Sequence, residues 1–228
     1  SQLKPEDWQA IAFGYWQTME YGKAGKAYSM APNTPLNMYR AGRGYHLRGK
    51  RAEARAAYQL LIQAFPDAKE TGLGLRRLAS LSKSEDAQVY LDIVIKKFPD
   101  EAPDALLAKA EILEALGSGT SATQARQSVL TQYAKSDAAA EYRWKVAEKF
   151  AAAGKFQEAW QWAQPITVNN PDSEQAAEAA FWVGRWASQL GRQKDAKAAF
   201  EHVLAKYPES YYAWRSARFL GWDVGDFT

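Results

Sequence analysis

Residues 172–208 read DSEQAAEAAFWVGRWASQLGRQKDAKAAFEHVLAKYP, two runs of matched length on either side of a single glycine, Gly191. The first run places Ala180, Val183, Gly184 and Ala187 on one helical face. The second does the same with Ala196, Phe200, Val203 and Leu204, so both halves are amphipathic at the helical period. Gly191 suits the left-handed residue that ends a helix. Pro208 stops the second run because it has no amide hydrogen to donate and its ring clashes with the preceding turn. The stretch is a helical hairpin, and one hairpin cannot bury its apolar faces alone.

The rest of the chain supplies neighbours. Residues 34–66 carry Gly42 and Tyr45, a turn glycine at Gly49, then Ala54 and Tyr58, and close at Phe65-Pro66. Residues 67–99 run through Leu78, Leu81, Ala87, Leu91 and Val94 to Phe98-Pro99, with Ser82 in place of the turn glycine, which predicts a reshaped turn. Residues 100–134 carry Ala110, Leu113, Gly117, Ala122, Val129 and Leu130 and close at Tyr133-Ala134. Residues 136–171 carry Ala147, Phe150, Gly154, Ala159 and Ile166, with Pro165 predicted to kink or end the second helix near Gln164. The closing positions 66, 99, 134, 171 and 208 lie 33, 35, 37 and 37 residues apart. Upstream, residues 5–31 form a degenerate first hairpin, with Trp8, Ile11, Ala12, Tyr15 and Met19 marking the buried face of its first helix. Downstream, residues 209–220 begin one more helix. A small residue midway along the first helix, then an alanine, an aromatic and a closing proline (Gly184, Ala196, Phe200, Pro208) at this period resemble a tetratricopeptide repeat. The expected fold is all-α: an α-solenoid of tetratricopeptide-like hairpins forming a single domain over 1–228, about a dozen helices in a right-handed superhelix.

Composition excludes several classes. With 29 basic and 26 acidic side chains in 228 residues the net charge is +3, too balanced for a nucleic-acid-binding face. No run approaches the roughly 18 apolar residues of a transmembrane helix. The absence of cysteine removes disulfides and thiolate metal sites. His46 and His202 fall on different hairpins, too far apart in a rigid array to share a metal. Thr71-Gly72-Leu73-Gly74 lacks the lysine and the preceding strand of a phosphate loop. No Ser-His-Asp set can be argued, so neither catalytic residues nor a metal or cofactor are expected.

Binding is expected on the first helices, which line the concave face of such an array. With each closing residue as position 32, position 5 holds Tyr39, Gly72, Leu107, Trp144 and Phe181, and position 9 holds Arg43, Arg76, Glu111, Glu148 and Arg185. Flat rings beside charged donors and acceptors suit sugar rings or an extended peptide. The candidate binding residues are thus Tyr39, Arg43, Arg76, Glu111, Trp144, Glu148, Phe181 and Arg185. The lysine and asparagine pattern that clamps a C-terminal carboxylate is missing, since Tyr39 and Arg43 occupy those slots.

The run Tyr207-Pro208-Glu209-Ser210-Tyr211-Tyr212-Ala213-Trp214 resembles the junction motif late in the helical region of soluble lytic transglycosylases. That resemblance implies a non-catalytic superhelix of a periplasmic or cell-envelope enzyme that positions a catalytic domain in cis and binds peptidoglycan glycan strands. Tyr211, Tyr212, Trp214 and Trp222 would then contact that domain. The family's catalytic Glu-Ser pair lies on a helix inside a sugar cleft, whereas Glu209-Ser210 stands at a repeat boundary and reads as a helix start. The competing reading is a free-standing tetratricopeptide adaptor that binds a protein or peptide partner.

Overall fold

The computed structural model describes residues 2–221. These form α1 (Pro5–Gln17), α2 (Tyr21–Met30), α3 (Pro35–Leu47), α4 (Arg51–Ala64), α5 (Lys69–Ser80), α6 (Ser84–Lys97) and α7 (Ala102–Ala115). They continue as α8 (Gly119–Gln132), α9 (Asp137–Ala152), α10 (Phe156–Asn169), α11 (Ala176–Gln189), α12 (Gln193–Lys206) and α13 (Tyr211–Phe219), with no strand among the described residues. The fold is an α-solenoid of tetratricopeptide-like hairpins. It divides into two compact units, 1–127 and 128–228. The sequence reads as one array because the division falls inside α8, where no linker marks it.

In unit 1 each helix from α1 to α7 packs on the next, and α3 also touches α5, so the first helices of adjacent hairpins are neighbours. The tightest approach is α2 against α3. A Cβ on Gly44 would lie 2.6 Å from the Tyr21 carbonyl oxygen and 2.8 Å from the Gly25 Cα, so backbone meets backbone there. Between α3 and α4 the fit is small against large: the fully buried Tyr58 ring fills the space that a side chain on Gly42 would need. Met19 does not mark a buried face. The first helix ends at Gln17, and Met19 sits in the turn beyond it at φ 60, 65% exposed. The α5–α6 turn is reshaped as predicted: the Ser82 hydroxyl donates to the Leu78 carbonyl at 2.6 Å, and Arg55 donates to Ser82 Oγ at 3.1 Å.

In unit 2 the chain of contacts runs from α9 to α13, with α13 also touching α11. Gly184 takes the Phe200 ring of its own hairpin, since a Cβ there would lie 2.7 Å from Phe200 Cε1. Phe200 thus fills its own pair and reaches toward the next through Phe219, stacked at 5.3 Å. Pro165 does not end α10, which continues to Asn169. The fully buried Ala163 and Ile166 pin the helix on both sides of the proline. The carbonyl deprived of its partner belongs to exposed Gln161, where water can serve it.

A recurrent hydrogen bond ties three of the hairpins to the one before each. Tyr207 donates its hydroxyl to the Pro171 carbonyl at 2.6 Å, and Asn170 Nδ2 donates to the carbonyls of Ala134 and Ser136 at 3.1 and 3.0 Å. In unit 1 Lys97 Nζ reaches the Pro66 carbonyl at 3.4 Å. A closing carbonyl, left over where a helix has ended, thus accepts from a side chain about one repeat later. Asn170 is buried, so Asn170→Leu should cost about 1–3 kcal/mol by orphaning the Ala134 carbonyl, while that of Ser136 keeps the Ala140 amide. Tyr207→Phe should cost about 1 kcal/mol. Urea unfolding at unchanged slope measures both.

Candidate functional site

In unit 1 the predicted residues lie on three successive first helices: Tyr39 and Arg43 on α3, Arg76 on α5 and Glu111 on α7. Tyr39 is half-buried, its ring 6.2 Å from that of Tyr58. Arg43, also half-buried, is close enough for its charge to act on the Tyr58 phenol. The Arg76 guanidinium is engaged by Glu101 and, at 3.7 Å, by Asp104. Glu111 is exposed. Arg76 and Glu111 share the wall of one pocket of about 360 Å³, together with Arg77, Ser80, Ser82 and Ile112.

Three residues that the sequence did not single out as site residues complete this region. Tyr58 sits under α3, with its hydroxyl 3.3 Å from His46 Nδ1. Burial, and then the neighbouring Tyr39, push the Tyr58 phenol far above its usual value, against the opposing charge of Arg43 and Arg77. Burial first, then Arg43, Arg77 and Arg51, push the His46 imidazole below its ordinary value. Arg77 is therefore a functional neighbour of α3 as well as a wall of the pocket. Its only sequence signal is its place beside Arg76.

His46 gives this unit a pH dependence. Its folded value lies below the ordinary 6.5, so as pH falls the unfolded chain takes up the proton first. The contribution to stability is present above about pH 6.5 and is lost as pH falls toward the folded value. Between pH 7 and 5 the urea midpoint of His46→Gln should decline less than that of the unaltered chain.

In unit 2 the predicted residues are mostly committed to packing. Phe181 is fully buried, and Trp144, 7% exposed, stacks on Trp186 at 5.8 Å. A ring enclosed this way has no face to offer a ligand. Arg185 lies over the Phe219 ring at 4.1 Å, and burial, then the charge of Arg215, lowers its pKa while leaving it cationic. Glu148 is exposed. Of the four residues expected to contact a further domain, Tyr211 is 62% exposed and stacks on half-buried Trp214 at 6.1 Å. Tyr212 packs on Phe181 at 5.6 Å, and Trp222 lies outside the described residues. Ser210 caps α13, accepting from the Ala213 amide at 3.1 Å, and Glu209 is exposed beside it, as a helix start requires. Among the described residues no cluster of His, Cys, Asp or Glu could hold a metal ion, and no helix is long and apolar enough to cross a membrane.

The family model of the tetratricopeptide repeat matches residues 37–68 and 178–210. No curated protein matches the sequence. Among solved structures, the chain is similar to PilW, described as a widely conserved type IV pilus biogenesis factor, at 16% identity and a TM-score of 0.50 over 93% of this chain and 97% of that one. PilF of Pseudomonas aeruginosa superposes with a TM-score of 0.53 at 12% identity, over 95% of this chain and 96% of the other. A tetratricopeptide repeat protein from Parabacteroides merdae gives 0.53 at 15% identity, over 95% and 87%. At these identities the likeness is one of fold. Nothing in these comparisons points to a lytic transglycosylase.

Proposed function

We propose that this chain, a tetratricopeptide-type helical repeat protein, is a non-enzymatic adaptor that holds a segment of a protein partner on the first helices of unit 1. The observation that carries this reading is an open pocket of about 360 Å³ lined by Arg77 of α5 and Glu111 of α7, with Tyr39 and Arg43 on α3, the first helix that packs on α5. A volume of that order accepts one or two side chains, and consecutive first helices repeat the offer along an extended segment.

The reading as the superhelix of a peptidoglycan lytic transglycosylase has only the run from Tyr207 to Trp214 in its favour. Two of its residues have simpler tasks, Tyr207 bonding the Pro171 carbonyl and Ser210 capping α13. It would place the chain in the cell envelope, with a catalytic domain in cis. Two parallel measurements separate the readings: cross-linking from a photoreactive group at position 39, with mass-spectrometric identification, and co-sedimentation with insoluble peptidoglycan. The adaptor reading expects a protein cross-linked to α3 and lost on Arg43→Ala, with the chain left in the supernatant. Sedimentation with peptidoglycan and no cross-linked protein would overturn it.

A further inference from the structure

The positive charge of unit 1 is concentrated. From residue 35 to 64, Arg40, Arg43, Arg48, Lys50, Arg51 and Arg55 stand against a single acid, Glu53. Some of these side chains have structural tasks: Arg55 donates to the Leu81 carbonyl and to Ser82, and Arg40 lies over the Tyr28 ring at 5.7 Å. Arg43 and Arg77 differ. Among the described residues neither has a carboxylate within ion-pair distance, although both act on the same Tyr58 hydroxyl and the same His46 ring. The nearby Arg76, by contrast, has Glu101 and Asp104. Two half-buried guanidiniums on α3 and α5, helices packed on one another, thus stand without a carboxylate counter-charge. The fork of each guanidinium offers several N–H donors in one plane.

We propose that α3 and α5 bind an extended acidic segment of a protein partner, with Asp or Glu side-chain carboxylates on Arg43 and Arg77 and an apolar side chain against Tyr39. The proposal deepens the adaptor reading and rests on it. Guanidinium and carboxylate match as planar two-pronged groups, and Tyr39 offers a rigid ring at small entropic cost. The spread of charge over two hairpins fits a run of acids better than one terminal carboxylate. Exposed Glu111 on α7 sets the limit of that run, because an acid placed over it would be repelled.

Fluorescence anisotropy tests the assignment. The probe is an eight-residue peptide of alternating Glu and Leu, acetylated and amidated so that no terminal charge remains, with its Gln counterpart and a phosphoserine version. Binding of the Glu peptide should exceed that of the Gln peptide by tenfold or more. Arg43→Gln and Arg77→Gln should each weaken it about tenfold, and Arg43→Lys by less, since lysine keeps the charge and loses the fork. Lys50→Gln, the same charge change at an exposed turn, should cost less than twofold. Equal losses at Lys50 and Arg43 would mean unspecific attraction and overturn the proposal, as would tighter binding of the phosphoserine peptide. If a protein cross-links to α3 while the Glu peptide fails to bind, this proposal falls and the adaptor reading stands. If no protein cross-links, the adaptor reading falls first.

Discussion

Gly44→Val is expected to loosen the first hairpin of unit 1 from the second, at a cost of about 3 kcal/mol or more, the upper end of overpacking penalties. The reason is that the walls cannot yield. The added carbon would meet the Tyr21 carbonyl oxygen at 2.6 Å and the Gly25 amide nitrogen and Cα at 2.8 Å. All three are backbone atoms of a neighbouring helix, so relief requires moving α2 bodily rather than turning one side chain. Buried Ala24, Ala27 and Tyr28 on α2 and Ala12 on α1 lose their packing when it moves. Hydrogen exchange should therefore accelerate in α1 and α2 before α5 and α6. Gly14→Ala is the internal control: nothing lies within 4 Å of its added carbon, so it should stabilise by about 0.5–1 kcal/mol through helix propensity. Opposite signs for two glycine replacements in the same unit would separate steric closure from propensity. An unchanged melting profile for Gly44→Val would refute the close approach of α2 and α3.

Phe181→Ala should cost unit 2 about 3–5 kcal/mol, the range for deleting a fully buried phenylalanine. The ring is a hub: Trp182, Tyr212, Phe200 and Phe219 lie 5.5, 5.6, 5.8 and 5.9 Å from it, and the Arg215 guanidinium 4.5 Å. Its removal leaves a cavity under α13 that none of these large, mutually wedged rings can fill. Thermal unfolding should register the loss directly. A variant with the stability of the unaltered chain would mean that Phe181 is no hub and would reopen its reading as a ligand contact.

The hairpins were legible because apolar residues recur at the helical period and prolines recur near the repeat period. In the two segments that the family model matches, 37–68 and 178–210, a glycine midway along the first helix faces an aromatic within the second, Gly42 with Tyr58 and Gly184 with Phe200. At the equivalent positions of two other hairpins stand Leu75 with Leu91 and Ala147 with Ala163, pairs without the telling contrast in size. The site was legible only in part. Tyr39 and Phe181 hold the same repeat position, yet one is half-buried and the other wholly enclosed, because α13 and its aromatics close over Phe181. Helical period fixes the direction of a side chain and leaves open what covers it. The action of the Arg43 and Arg77 charges on Tyr58 was hidden for the same reason, since it joins three helices that only tertiary packing brings together.

The hydrogen bonds at the closing carbonyls give the array a polarity in time. The Pro171 carbonyl finds its donor only when Tyr207 has been made, and that of Ala134 waits for Asn170. On the ribosome these hairpins therefore emerge with their last turns incomplete, and the following hairpin finishes each as it docks. Fragments cut from the two ends are unequal in consequence. One that stops at Pro171 leaves a carbonyl of its own last turn without its donor, whereas one that starts at Asp172 loses only the acceptor of the Tyr207 hydroxyl, which water can replace.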